Sequence, residues 1–326
     1  MKLRSLRERD LIAAVTTEFR SQKRELIIGI GDDAAVVQGT KKLLLLTKDL
    51  LIENAHFIAS LHPPYELGRK ALNVNLSDIA AMGGRAKYAL LGLGLRKKTE
   101  PIWAERFFLG FKSAAQESGV ELIGGDISAS KNIVISVTVV GTAERVSLRN
   151  GARPGDLIFV SGFLGDAAAG LRLLNKGLRT GINRQADALI KTFLDPRPQL
   201  ALGQVLSRRR LASAMIDTSD GLSIDLRHIC EESRAGADVH LEKLPLSPQI
   251  QVFEKRPKNL ALHGGEDYQL LFTAPPRNLP ALVKLKKRFN FSWIGRITRR
   301  KTIRVIDRNS RSRLLEARGY QHFSST

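Results

Sequence analysis

The run KALNVNLSDIAAMGGRAKYALLGLGL, Lys70 to Leu95, changes periodicity halfway along. Apolar residues in its first part recur at helical spacing and predict a helix over about Tyr65 to Met82, stopped by Gly83-Gly84. The second part, Tyr88 to Leu95, reads as a strand. A second helix is expected over Pro101 to Ser118, with proline at its start and Gly119 as its stop. A short strand at Glu121 to Ile123 and a longer one at Ile133 to Gly141 follow. Helices alternating with strands in this way indicate a mixed α/β domain.

Toward the N-terminus the pattern gives an amphipathic helix at Leu6 to Phe19 and strands at Glu25 to Ile30 and Lys42 to Lys48. The apolar run in that first helix is short and charges resume at Glu18, so it does not read as a signal peptide. Toward the C-terminus, the turn-rich RNGARPGD, Arg149 to Asp156, breaks the pattern and places a domain boundary, giving domains 1–146 and 147–326. The second half restarts with a strand at Leu157 to Ser161 and a helix at Asp166 to Leu174, and has two helices within Gln185 to Leu206. Strand Ala214 to Ile216, helix Leu222 to Glu232, strand Asp238 to Leu241, strand Tyr268 to Thr273, helix Leu279 to Phe289 and strands near Trp293 to Ile297 and Thr302 to Val305 complete it. The expected fold is a two-domain α/β protein, an N-terminal mixed-sheet domain followed by a C-terminal α/β domain.

Composition narrows the class. At 326 residues and 43% hydrophobic content the chain can bury two cores, and no apolar run reaches membrane-spanning length. Its single cysteine, Cys230, excludes an intrachain disulfide and suits the cytoplasm. The formal charge is +20, which favours anionic partners. The basic clusters at Arg208 to Arg210, Lys284 to Arg288 and Arg296 to Arg304 lack interleaved aromatics, so they read as a solvated basic face and not as a nucleic-acid platform.

The chemistry is concentrated in aspartates at the ends of apolar runs: Gly31-Asp32-Asp33, Thr47-Lys48-Asp49, Gly124-Gly125-Asp126 and Asp217-Thr218-Ser219-Asp220-Gly221. Asp78 is on a helix instead, on the same face as Asn75. Converging carboxylates repel one another unless cations neutralise them, and oxygen-only donors suit Mg²⁺ and its phosphate ligands. The glycine pairs before Asp126 and Glu266 would let backbone approach a ligand, and loop Ser161 to Asp166 would offer N–H groups to an anion at a helix start. No GxxxxGK[ST] loop, HRD/DFG set, HExxH or CxxC is present. The GxGxxA match at Gly29 to Ala34 would set two carboxylates against a pyrophosphate, which argues against a dinucleotide site.

Taken together and in order, GIGDDAAVV, TKDLLIENAHF, KALNVNLSDIAAMGG, ELIGGD, SGFLGDAAAGL, IDTSDGLSIDL and GGEDYQLLFT resemble the thiamine-monophosphate kinase family, from Gly29 to the terminal Gly319 to Phe323. The resemblance implies a homodimer whose N-terminal domains pair their sheets, with several Mg²⁺ ions and ATP as co-substrate. It implies metal ligands at Asp33, Thr47, Lys48, Asp49, Asp78, Asp126, Asp217 and Asp220. Nucleotide contacts would come from Gly125, Asp126, Arg149 and Ser219, and thiamine monophosphate contacts from His56, Glu266 and Tyr320. Two departures are visible: Lys48 replaces a hydroxyl residue, so only its backbone carbonyl could ligate Mg²⁺, and Gln116-Glu117-Ser118 replaces a tyrosine near the nucleotide. The acceptor phosphate is already an oxyanion, so direct transfer without a catalytic base is expected.

Overall fold

The computed structural model describes residues 26–28, 36–37 and 42–316. The expected first helix, Asp33 and Tyr320 lie outside those residues. The chain divides into two compact units, Met1–Ile79 with Arg85–Glu144, and Ala80–Gly84 with Arg145–Thr326.

In the first unit a small pair, β1 (Leu26–Ile28) and β2 (Val36–Val37), precedes β3 (Leu43–Ile52), α1 (Pro64–Ala81), β4 (Arg85–Arg96), α2 (Pro101–Ser118), β5 (Glu121–Ser130) and β6 (Val134–Ala143). Strands β3, β6, β4 and β5 form one sheet in that order, parallel only between β4 and β5. Helix α2 starts at Pro101 and ends where Gly119 turns left-handed, its N–H reaching Ala115 O and Gln116 O. The two helices approach closely through glycines: a Cβ on Gly110 would sit 1.8 Å from Tyr65 O, and one on Gly68 would sit 2.0 Å from Phe107 O. Side chains alternate along β3 from Leu44 to Leu51 and along β6 from Val134 to Val140. Odd-numbered residues such as Leu45, Leu51, Ile135, Val137 and Val139 are buried. Even-numbered Leu44, Leu46 and Leu50 remain exposed.

The second unit contains β7 (Leu157–Ser161), α3 (Asp166–Asn175), α4 (Arg184–Leu194), α5 (Leu200–Arg208), β8 (Ala214–Asp217), α6 (Leu222–Glu232) and β9 (Gly236–His240). After these come α7 (Pro248–Phe253), α8 (Pro257–His263), β10 (Leu270–Ala274), α9 (Leu279–Leu285), β11 (Phe291–Thr298), β12 (Ile303–Ile306) and β13 (Ser312–Leu314). Its sheet runs β13-β12-β9-β11-β7-β10-β8, antiparallel except between β12 and β9. Both faces are covered, which is why its central strands read as unbroken apolar runs. Ile158, Val160, Ile216 and Leu271 pack with Leu226 and Ile229 of α6 and with Leu262 of α8. Leu157, Phe159, Met215, Leu270 and Phe272 pack on the other side with Leu202 and Leu206 of α5 and with Leu282 and Leu285 of α9. Rings of Phe159 and Phe272 stack at 5.3 Å, and Phe291 meets both edge-on.

Among the described residues the expected elements are present with shifted ends. Strands β3 and β5 run further than the sequence suggests, α9 stops earlier, and α7 and α8 were not anticipated, being 6 and 7 residues long. Gly110→Ala should lower unfolding free energy by about 1–3 kcal/mol, because the added carbon has to push the two helices apart. Urea denaturation of the full chain measures this, and an unchanged midpoint would show that the crossing relaxes freely.

Candidate active site

In the first unit the donors are positioned by strand alternation. Thr47 and Asp49 face α1, and Lys48 between them faces the opposite way. Thr47 Oγ1 donates to Asp78 Oδ2 at 2.5 Å. Asp49 N donates to Asn75 Oδ1 at 3.1 Å, and Asn75 Nδ2 is anchored on Ala71 O. The helix face shared by Asn75 and Asp78 therefore lies against β3. Burial, and then the charge of Asp78, push the Asp49 carboxyl up to about 6. Lys48 Nζ instead donates to Ser136 Oγ on the open face of the sheet.

Asp126 departs from expectation. It pairs with Gly92, which pairs with Ser136, which pairs with Leu50. It therefore stands on the open face with Lys48, not on the face of Asp49, and Ser128 Oγ donates to its Oδ2 at 3.1 Å. Strands β3 and β5 are the two edges of the sheet. Three interstrand steps put Asp49 and Asp126 roughly 14 Å apart within one protomer. The expectation of aspartates at strand ends is corrected here: Asp49 and Asp126 lie within strands, and only Asp217 closes one. Among the described residues no three His, Cys, Asp or Glu side chains gather closely enough to hold a metal ion. Gly125 is constrained by its own chain, since a Cβ there would lie 1.9 Å from Leu91 O. His56 Nδ1 accepts from Ile52 N at 3.0 Å, so Nε2 carries the proton of the neutral ring. Glu117 forms a two-pronged ion pair with Arg69 at 2.7 and 2.9 Å.

In the second unit two loops are zipped together. Tyr268 N donates to Thr218 O and Glu266 N to Ser219 O, both at 2.8 Å, and Gln269 N donates to Thr218 Oγ1 at 3.0 Å. Asp217, Ser219 and Asp220 are thereby brought beside Glu266. Glu266 and Tyr268 are held at φ 71° and 49°, a strained conformation for non-glycine residues, and Tyr268 Oη reaches Glu266 Oε1 at 3.4 Å. The glycine before Glu266 serves this seam, because a Cβ on Gly265 would lie 2.6 Å from Ser219 O. Arg149 is exposed beside the start of β8, where Met215 N bonds Leu148 O, whereas Ser219 follows the end of that strand.

Two buried carboxylates were not anticipated. Asp225 lies in the first turn of α6 and accepts from Gly221 N at 3.0 Å. Burial pushes it up to about 8, with Asp217 and Asp220 adding to the effect. Asp267 occupies the start of α3, accepting from Gly165 N at 2.6 Å and Ala167 N at 3.1 Å. The anion-binding loop expected at Ser161 to Asp166 is therefore filled by the protein's own carboxylate, and Ser247 Oγ closes the network on Asp166 at 2.7 Å. The sequence signal for Asp225 is its place between the apolar residues Ile224 and Leu226. Cys230 is buried and its thiol is pushed up to about 12, first by burial and then by Glu231, so it is unreactive.

The chain is similar to characterised proteins along nearly its whole length. Residues 31–143 match the family model described as AIR synthase related protein, N-terminal domain, and residues 153–308 match its C-terminal domain. The thiamine-monophosphate kinase of Aquifex aeolicus (strain VF5) is 39% identical over 331 residues, covering 99% of this chain and 100% of the relative. The chain belongs to the thiamine-monophosphate kinase family. The crystal structure of the Stenotrophomonas maltophilia K279a family member superposes with a TM-score of 0.83 at 36% identity, over 91% of this chain and 94% of the other. AaThiL complexed with AMPPCP and TMP superposes with a TM-score of 0.79 at 38% identity, over 99% of both chains. Among the described residues no helix is long and apolar enough to cross a membrane.

In this family member, burial pushes Asp267 up from 3.8 to about 8, against the two N–H donors that favour its charge. A carboxyl raised on folding holds a proton that the unfolded chain releases, so its contribution to stability is full below about pH 4 and is lost as pH rises through about 8. Urea unfolding at about pH 5 and about pH 8 should show a shallower decline for Asp267→Asn than for the parent. Equal declines would assign the pH dependence to other groups.

Proposed function

We infer that this protein transfers the γ-phosphoryl group of ATP to thiamine monophosphate in a Mg²⁺-dependent reaction, giving thiamine diphosphate and ADP. The observation that carries this is the near-full-length likeness, at 38% identity, to AaThiL complexed with AMPPCP and TMP. The motif residues support it: Thr47, Asp49, Asp78, Asp126, Asp217 and Asp220 are all present. The donors are hydroxyl and carboxylate oxygens, and Asp49 is raised first by burial and then by its neighbour Asp78, which is a set that favours a hard cation. These residues, with Asp33 and the Lys48 carbonyl, would hold Mg²⁺. When bound, Mg²⁺ neutralises phosphate oxygens and holds donor and acceptor in line.

The chain's own groups then bind and orient. An oxygen of the acceptor phosphate forms the new P–O bond as the bond to the ADP oxygen breaks. That oxygen is already ionised, so no side chain has to take a proton and no phosphoenzyme forms. Gly125, Asp126, Arg149 and Ser219 are the proposed nucleotide contacts. His56, Glu266 and Tyr320 are proposed for thiamine monophosphate, where the Glu266 carboxylate suits a cationic thiazolium. A cytoplasmic setting fits a lone, buried cysteine.

A homodimer is part of the same reading. Exposed Leu44 (59%), Leu46 (71%) and Leu50 form an apolar stripe on the open sheet face. Both sheet edges are long, and a second copy would cover them. Pairing β3 of one protomer beside β5 of the other would bring together the two edges that carry Asp49 and Asp126, with their side chains on opposite faces of the joined sheet.

Purified protein with ATP, Mg²⁺ and thiamine monophosphate should yield thiamine diphosphate and ADP in equal amounts, with none formed in EDTA. Asp126→Asn should cut kcat by about 100-fold or more, as expected for a lost electrostatic contact to the transferring group. Product formation that persists in EDTA, or near-parental activity of Asp126→Asn, would overturn the metal assignment.

A further inference from the structure

At the far end of the first unit's sheet is a concavity of about 670 Å³ lined by Arg96, Lys97, Lys98, Ala129, Ser130 and Lys131. Its size is that of a small-molecule site. Arg96 ends β4 and Ser130 ends β5, and the three lysines project from the loops just beyond those strands. Ser130 is four residues along β5 from Asp126, roughly 13 Å away.

Several cations elsewhere on the surface are neutralised by a carboxylate. Lys42 pairs with Glu144, Arg172 with Glu254, Lys258 with Glu242 and Arg300 with Asp238. Among the described residues Lys97, Lys98 and Lys131 meet no carboxylate at ion-pair distance. Arg96 is held in place: its Nη1 lies 3.2 Å from Glu53 Oε1, and Glu53 is buried and accepts from Ile133 N at 2.9 Å through its other oxygen. Glu53 N in turn donates to Ile133 O at 2.9 Å. Glu53 is thus spent on fixing the guanidinium and the β5–β6 connection. Four cations less that one carboxylate leave a net charge of +3 around one cavity. Like charges gathered this way repel one another and raise the affinity for a multiply charged anion. A carboxylate or other monoanion would leave most of that charge uncompensated, whereas a di- or triphosphate matches it.

We propose that this pocket is a second, metal-independent binding site for the polyphosphate group of a small molecule, with the four cations doing what Mg²⁺ does for phosphate elsewhere. The ligand chemistry is that of a free inorganic polyphosphate or of the polyphosphate tail of a nucleotide. The site stands whether or not the kinase reading does.

The test is isothermal titration of the full chain with inorganic tripolyphosphate in EDTA, which disables metal-dependent binding. One equivalent per chain should bind. Lys97→Glu/Lys98→Glu/Lys131→Glu should weaken binding at least about tenfold, and the three-fold glutamine variant should weaken it less but in the same direction. A charge-matched control, Arg208→Glu/Arg209→Glu/Arg210→Glu, alters exposed residues of the second unit and should stay within about twofold of the parent. ADP titrated under the same conditions identifies the source: binding as tight as tripolyphosphate marks a nucleotide site, and much weaker binding marks an inorganic polyphosphate site. No saturable binding in EDTA, unchanged binding by the lysine variants, or equal weakening by the control would overturn the proposal.

Discussion

The period of two along a β-strand is the constraint on which the candidate site depends. Thr47, Lys48 and Asp49 are consecutive, so the strand must send the middle residue to one face and its neighbours to the other. Thr47 and Asp49 are directed at Asn75 and Asp78 on α1, and Lys48 at Ser136 on the open face. The same rule, carried across the ladder through Ser136 and Gly92, puts Asp126 on the open face at the far edge. A four-stranded sheet is too wide for its edges to share one ion. The described residues of one chain therefore hold Asp49 and Asp126 apart, and the exposed leucine stripe of β3 is the surface proposed above for a second copy. Lys48 can be tolerated on the same ground, because its ammonium does not project among the Asp49 and Asp78 oxygens.

The second unit uses buried carboxylates differently. Asp267 is almost fully buried, and its charge would be costly there without the α3 amides that meet it. This bond fixes the middle of GGEDYQ and forces Glu266 and Tyr268 on either side into left-handed backbone. Strain of about 1–3 kcal/mol per such residue persists only where surrounding bonds over-determine it. Here the bonds to Thr218 and Ser219 do so, and they set Glu266 beside the Asp217 to Asp220 turn. Asp225 stiffens that turn from below through Gly221 N.

Most of the fold was legible because its signals are local. Two-sided burial makes β7, β8 and β10 continuous apolar runs, and Pro101 and Gly119 punctuate α2 at both ends. The errors share a cause. A polar residue inside an apolar run reads as an end, so Asp49 and Asp126 were expected in turns although hydrogen bonding carries their strands on for three and four further residues. Helices α7 and α8 are too short to display a period. The chemistry of the Ser161 to Asp166 loop could not be read locally, because the carboxylate that fills it comes from 102 residues away. The same holds for Glu117, which is tied to Arg69 across 48 residues. The ordered motifs name the candidate residues, but which of them share a face was not legible, because that depends on strand order.

We propose that each site draws on both protomers of a dimer, through the strand edges that carry Asp49 and Asp126. Subunit mixing tests it most directly. Asp49→Asn and Asp126→Asn, each inactive alone, are unfolded together, refolded together and assayed for thiamine diphosphate formation. If sites are shared, half of the dimers are mixed and each of those has one intact site, so activity should recover to about a quarter of the parent's. Activity no higher than that of the separate variants would contradict the account and place both aspartates in the service of a single chain.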